Sequence, residues 1–272
     1  MTRIAVDDGV SYSVTDTGLG TPLLLIHGFT GSAASWAPLL PQLARDHRVL
    51  TVELLGHGES DAPDAGRHAV ERQAVDLILI LDRVGAAPAD VLGYSLGARV
   101  ALRLAIESPS SVRRLVLESP SAGVADPAAR AARQDADDRW IEQLEREDMD
   151  GFVRDWAAQP IFASQAHLAP ERRANRPHGL ATSLRGAGQG VMTPLHERLR
   201  AIAAPTLVVS GRLDPTGSLR AAEVARGIPG AIHEIIDDAG HTPHLETPAR
   251  FLQLVTITLA TPVARPIPTS AP

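Results

Sequence analysis

Gly93-Tyr94-Ser95-Leu96-Gly97 constrains the fold of this chain more than any other stretch. It follows the apolar run Ala89-Asp90-Val91-Leu92 and leads into Ala98 to Ala105, which has a helical pattern. A strand, a sharp turn and a helix are thereby joined through a serine. The flanking glycines suit a turn too tight for side chains, which lifts the Ser95 hydroxyl above the sheet beside the free amides of the helix start.

The rest of the chain must supply a sheet to carry that turn. Leu23 to Ile26, Val49 to Val52, Asp90 to Leu92, Leu115 to Leu117 and Thr206 to Val209 are short runs rich in branched residues, bounded by turn formers. They are expected as buried parallel strands, with helices such as 74–84 and 98–107 between them. Residues 4–15 alternate polar and apolar and predict an antiparallel hairpin. The fold class is therefore α/β, a doubly wound and mostly parallel sheet with flanking helices. The rhythm breaks near Ser121, where helical, charged segments replace strands until about Leu199. Helices are expected over 128–147, 150–158 and 170–176. Residues 1–120 and 201–260 then form the two parts of one core, 121–200 an inserted helical lid, and 261–272 a mobile tail rich in Pro, Ala and Thr.

Composition excludes several functions. The 272 residues are 44% hydrophobic, enough for one large core. The net charge of −6 offers no field for nucleic acid. Cysteine is absent, so neither disulfides nor thiolate metal sites are available, and no metal or cofactor is expected. No signal-like N-terminus or membrane-length apolar run is present, which predicts a cytoplasmic protein without a membrane partner. All 26 positive side chains are arginine. Only 3% of residues are aromatic, which predicts mainly aliphatic pocket walls.

A serine nucleophile or base requires a partner that takes its proton. Among ten histidines, His241 lies best, in a loop after the strand-like 232–236. Asp214 follows the strand 207–210 and could orient the imidazole. A histidine in a terminal loop is ordinarily a surface residue, and an aspartate at a strand end is ordinarily a turn former. The order Ser95, Asp214, His241, each after a strand, favours the catalytic reading. Asp237 and Asp238 are rival acids, but they stand too near His241 in the chain to reach its far nitrogen easily. The loop His27-Gly28-Phe29-Thr30-Gly31-Ser32 could supply an oxyanion hole, pairing the amide of Phe29 with that of Leu96. His27 is read as a brace for that loop, and Gly56-His57-Gly58-Glu59-Ser60 as a structural turn.

Together, His27-Gly28-Phe29, Gly56-His57-Gly58-x-Ser60, the elbow and Ala239-Gly240-His241 resemble the α/β-hydrolase superfamily over about residues 10–260. Further segments narrow the likeness: Leu117 to Gly123, Trp156 to Phe162, and Gly179-Leu180-Ala181-Thr182-Ser183-Leu184-Arg185-Gly186-Ala187-Gly188-Gln189-Gly190 in the lid. With these, the chain resembles the 2-succinyl-6-hydroxy-2,4-cyclohexadiene-1-carboxylate synthases of menaquinone biosynthesis. That resemblance implies a lyase in which Ser95, activated by His241 and Asp214, removes a substrate proton and pyruvate is eliminated.

The implied substrate is a small tricarboxylate, which gives the arginines a task. Arg99 lies one helical turn after Ser95 and could face the same pocket; a helical arginine is ordinarily solvated, and it is the resemblance that favours the pocket here. The resemblance adds Arg133, Tyr94 and Trp156 as substrate-binding positions. It also implies a third lid arginine among Arg172, Arg173 and Arg176, of which Arg176 is chosen; Arg185 is a further candidate. Two positions depart from the family pattern: Ala98 where glycine is common, and Pro215-Thr216-Gly217 where a charged and then an aromatic residue are expected. The same triad could serve a carboxylesterase or a C–C bond hydrolase through an acyl-enzyme. A ligand receptor on this fold is disfavoured by the charged lid.

Overall fold

The computed structural model of the chain describes residues 1–162 and 169–262. Strands β1 (Thr2–Ala5) and β2 (Ser11–Thr17) form the expected antiparallel hairpin, and β2 lies antiparallel to β4 (His47–Glu53). The remaining strands, β3 (Thr21–Ile26), β5 (Ala89–Tyr94), β6 (Val112–Glu118), β7 (Thr206–Gly211) and β8 (Ile232–Ile236), run parallel to β4 and to one another. The sheet order is β1-β2-β4-β3-β5-β6-β7-β8.

The central strands are apolar on both faces because both faces are covered, whereas the edge strand β8 is largely exposed. In β3, Leu24 and Ile26 join one buried cluster, while Leu23 and Leu25 join the other. The first cluster is closed by α2 (Val70–Arg83), α3 (Leu96–Glu107) and α8 (Pro215–Gly227), through Leu77, Leu81, Val100, Leu104 and Val224. The second is closed by Trp36, by α1 (Leu40–Leu43) through Leu43, and by α10 (Pro248–Ala260) through Phe251 and Val255; α9 (Pro243–Glu246) precedes α10.

Strand order reverses at β3, which has β4 on one side and β5 on the other. The loops leaving β3 and β5 therefore diverge and leave a crevice at the carboxyl ends of the strands, where ligands bind in open α/β sheets. Ile26 pairs with Gly93 at the end of this seam, which brings the Phe29 loop beside Ser95.

Among the described residues, four α-helices lie between β6 and β7 in the chain: α4 (Pro127–Glu145), α5 (Met149–Ala157), α6 (Ala169–Arg173) and α7 (Pro177–Ala187). Asp126 caps α4 through the Ala129 amide, and Asp148 caps α5 through that of Gly151. These helices share a core of Ile141, Leu144, Phe152, Val153, Trp156, Phe162, Leu180 and Leu184, against which Phe29 packs. Helix α7, in the stretch 179–190 noted for its likeness, joins the helices expected from the pattern. At the other end, Arg114 holds the Thr261 carbonyl, so residue 261 is anchored rather than part of a free tail. The rest of the expected tail, from 263, lies outside the described residues. Among the described residues no helix is long and apolar enough to cross a membrane.

Candidate active site

Ser95 occupies the turn between β5 and α3 with φ 49° and ψ −103°. A non-glycine residue avoids this region unless its surroundings compel it. Gly97 shows the compulsion: a Cβ there would collide with the Ile26 carbonyl of β3. The elbow is pressed onto the neighbouring strand, and the serine is turned outward.

His241 Nε2 lies 3.2 Å from Ser95 Oγ, and His241 Nδ1 lies 2.7 Å from Asp214 Oδ2. The carboxylate accepts the Nδ1 proton, which leaves Nε2 to accept from the serine hydroxyl. Asp214 is also the cap of α8, its Oδ1 accepting the Gly217 amide at 2.9 Å. Burial pushes its pKa up, but the hydrogen bond and charge of His241 outweigh this and hold it below the ordinary value. Of the rival acids, Asp237 pairs with the exposed Arg212 instead. The loop carrying His241 is pinned from three sides. Ser119 Oγ donates to the His241 carbonyl, Glu246 accepts the amides of Gly240 and Thr242, and the buried Glu118 accepts the amide and ring N–H of His244.

The amides of Phe29 and Leu96 make no hydrogen bond among the described residues. Leu96 is the first residue of α3, where no carbonyl stands one turn back. Both residues line the cavity over Ser95. The loop is held from behind: His27 donates to the Gly28 carbonyl and accepts the Leu54 amide, and His57 accepts the Thr30 amide. These two histidines brace the backbone; the sequence suggests that role for His27 and only a structural turn for His57.

The cavity has a volume of about 170 Å³ and reaches from Ser95 and His241 up to the lid helices. Its wall includes Phe29, Trp140, Trp156 and Phe162, four of the nine aromatic residues in the chain. The expectation of aliphatic walls is therefore corrected: the aromatic side chains are few but concentrated here, with Trp156 stacked on Phe162 at 5.3 Å.

Arg99, Arg133 and Arg220 line the same cavity. Arg99 is 6% exposed and donates from Nη1 to the Ala187 carbonyl at 2.6 Å. Burial, with the nearby Arg133 charge, pushes its pKa down to about 9, so it stays cationic at neutral pH. Arg133 is tied to Asp137 one turn on at 2.6 Å. Arg220 stands exposed at the rim and was not anticipated; its signal is its place on α8, two turns beyond Asp214. Trp156 lines the cavity. Tyr94 does not reach the main cavity: its ring packs beneath His241 at 5.6 Å, its hydroxyl meets Thr242 Oγ1, and it lines a smaller neighbouring hollow.

The choice of Arg176 is overturned. Residues 172 and 175 share the inward face of this stretch, whereas 173 and 176 face outward. Arg176 is exposed and donates to the Ser60 carbonyl, while Arg172 is buried over the Phe162 ring, 5.3 Å from its centre, and lines the hollow beside Tyr94. Arg185 points away and pairs with Glu145.

Residues 21–248 match the model of the α/β-hydrolase fold family. The 2-succinyl-6-hydroxy-2,4-cyclohexadiene-1-carboxylate synthase of Salmonella paratyphi C (strain RKS4594) is 34% identical over 236 residues, which cover 85% of this chain and 90% of that protein. A Bacillus subtilis (strain 168) protein, given the same name provisionally, is 36% identical over 264 residues, covering 93% and 96%. Among solved structures, MenH from S. aureus superposes with a TM-score of 0.85 at 29% identity, covering 91% of this chain and 97% of that one. A malate-bound esterase from Thermogutta terrifontis superposes with a TM-score of 0.81 at 26% identity, covering 95% and 98%. With its elbow, its Ser–His–Asp contacts and its arginine-lined cavity on that fold, the chain belongs to the α/β-hydrolase family and, within it, to the 2-succinyl-6-hydroxy-2,4-cyclohexadiene-1-carboxylate synthases.

Proposed function

We propose that the protein eliminates pyruvate from 2-succinyl-5-enolpyruvyl-6-hydroxy-3-cyclohexene-1-carboxylate, with Ser95, His241 and Asp214 as the proton-abstracting triad. The observation that carries this reading is the presence of three guanidiniums, those of Arg99, Arg133 and Arg220, on the cavity that contains Ser95. A neutral ester has no use for such a wall, whereas a tricarboxylate requires one. The shared name of the relatives supports the same choice.

The chemistry follows from the contacts. His241 Nε2 takes the Ser95 proton as the serine oxygen removes the proton beside the succinyl carbonyl. The electron pair of the broken C–H bond moves onto the carbonyl oxygen, between the amides of Phe29 and Leu96. It then returns through the ring, and the C–O bond to the enolpyruvyl group breaks. The leaving enolpyruvate takes the proton held by His241 Nε2 and becomes pyruvate, while Ser95 keeps the proton drawn from the substrate, so the triad returns to its starting state. Asp214 keeps the Nδ1 proton in place and offsets the positive charge on His241 during the transfer. No acyl-enzyme forms, so water is not consumed.

Pyruvate release from that substrate tests the reading. The wild type is expected to release it, and Ser95→Ala to lose about 10²- to 10⁴-fold in turnover. Near-normal release by the variant would remove Ser95 from the chemistry. Hydrolysis of neutral esters without any pyruvate release would favour the esterase reading, which the same triad and amides permit.

A further inference from the structure

Trp156 Nε1, Ser183 Oγ and Gln189 Oε1 are buried without a hydrogen-bond partner among the described residues, and all three residues line the cavity over Ser95. Trp156 and Ser183 are 7% and 1% exposed. A buried polar group left unpaired costs about 1–3 kcal/mol, so three of them on residues of one cavity need an explanation. Local geometry does not force it. Thr182, next to Ser183 on α7, settles its hydroxyl on the His178 carbonyl one turn back. Ser183, on the cavity side, leaves its own hydroxyl unpaired.

The missing partner has a definite chemistry. Gln189 Oε1 is an acceptor and requires a donor; Ser183 Oγ and Trp156 Nε1 can each donate. Under the lyase reading, on which this inference rests, the substrate has three ionised carboxylates, a ketone, an enol ether and one ring hydroxyl. The carboxylates suit the arginines, and the ketone suits the amides of Phe29 and Leu96. Only the ring hydroxyl can donate a hydrogen bond. It can also accept one, so it can bond Gln189 and Ser183 together, and it would suit the glutamine amide in either orientation.

We propose that Ser183 and Gln189 form a hydroxyl-reading subsite on the lid side of the cavity. Arginines hold the charged ends of the substrate, and this pair sets which face of the ring lies over Ser95. The groups are unpaired in the protein because their partner is the ligand. They therefore weaken the fold slightly and strengthen binding.

The test uses the full-length wild type, Ser183→Ala and Gln189→Leu, with two substrates: the hydroxylated one and an analogue with hydrogen in place of the ring hydroxyl. Pyruvate release gives KM and kcat, and thermal unfolding is followed without ligand. Each variant is expected to raise KM for the hydroxylated substrate about tenfold, the loss of one hydrogen bond. The analogue should bind the wild type and the variants alike. The ligand-free Tm should hold or rise by about 2 °C, because an unpaired buried group has gone. An unchanged KM in both variants would overturn the subsite. So would equal losses on both substrates, or a Tm lowered by roughly 5 °C or more, each of which marks a packing role. Absence of pyruvate release by the wild type from either substrate would instead overturn the lyase reading, and the ligand assigned here with it.

Discussion

Arg99 lies at the junction of fold and chemistry. One of its nitrogens is committed to the Ala187 carbonyl, tying α3 to the end of α7, while the guanidinium lines the cavity. Its burial is tolerable because it keeps that hydrogen bond and has Asp137 near enough to offset part of the charge. Arg99→Ala should therefore lower kcat/KM for the tricarboxylate by roughly 10- to 100-fold, the value of one charge-assisted hydrogen bond. Hydrolysis of a small neutral ester should fall far less. Kinetics on both substrates check this, and equal losses would mean that Arg99 acts through packing alone. In the sequence, the one-turn spacing from Ser95 only allowed Arg99 to face the pocket, and it was the family resemblance that favoured this over a solvated face. Arg172 and Arg220 were not legible. For Arg172, which of several neighbouring arginines faces inward depends on the phase of a five-residue helix, and adjacent charges carry no apolar pattern to reveal that phase; Arg220 lies on α8, whose approach to the cavity is set by tertiary packing.

Helix α7 shows how an element can be positioned by what it lacks. Gly179 lies so close to Gly56 that a Cβ on either residue would collide with the other's carbonyl. This contact seats the lid helix directly on the turn after β4, and α7 also packs against α4. Gly179→Ala is expected to destabilise the protein by about 1–3 kcal/mol, since backbone must shift to admit the methyl. Denaturant unfolding measures it, and a change below about 0.5 kcal/mol would show that the lid yields without strain. The core strands were readable because runs buried on both faces have no competing interpretation at four to six residues. The helical character of the stretch between β6 and β7 was readable from the loss of that rhythm. Its helix α7 was harder, because Gly179, Gly186 and Gly188 weaken the helical pattern while serving close approaches that only the assembled structure reveals.

At the scale of the whole molecule, pH acts through histidines that do no chemistry. His27 and His57 are fully buried, and burial holds their pKa values below the ordinary 6.5. Burial likewise pushes His68 down to about 4. Each stays neutral in the folded chain and takes up a proton near pH 6.5 when unfolded. The unfolded state thus binds more protons below that pH, and stability falls as pH falls, by about 1.4 kcal/mol per unit for each such ring. For His68 the loss runs from about pH 6.5 down to about 4. The Tm at pH 5 should accordingly lie at least roughly 5 °C below that at pH 7, and His68→Gln should flatten the slope. A Tm independent of pH over that range would contradict the buried, neutral state of these rings. The order of the site along the chain has a separate consequence. Ser95 comes before the lid, and Asp214 and His241 come after it. During synthesis the ribosome therefore delivers the Ser95 hydroxyl well before the imidazole that contacts it, and a chain interrupted anywhere short of residue 241 lacks the proposed triad.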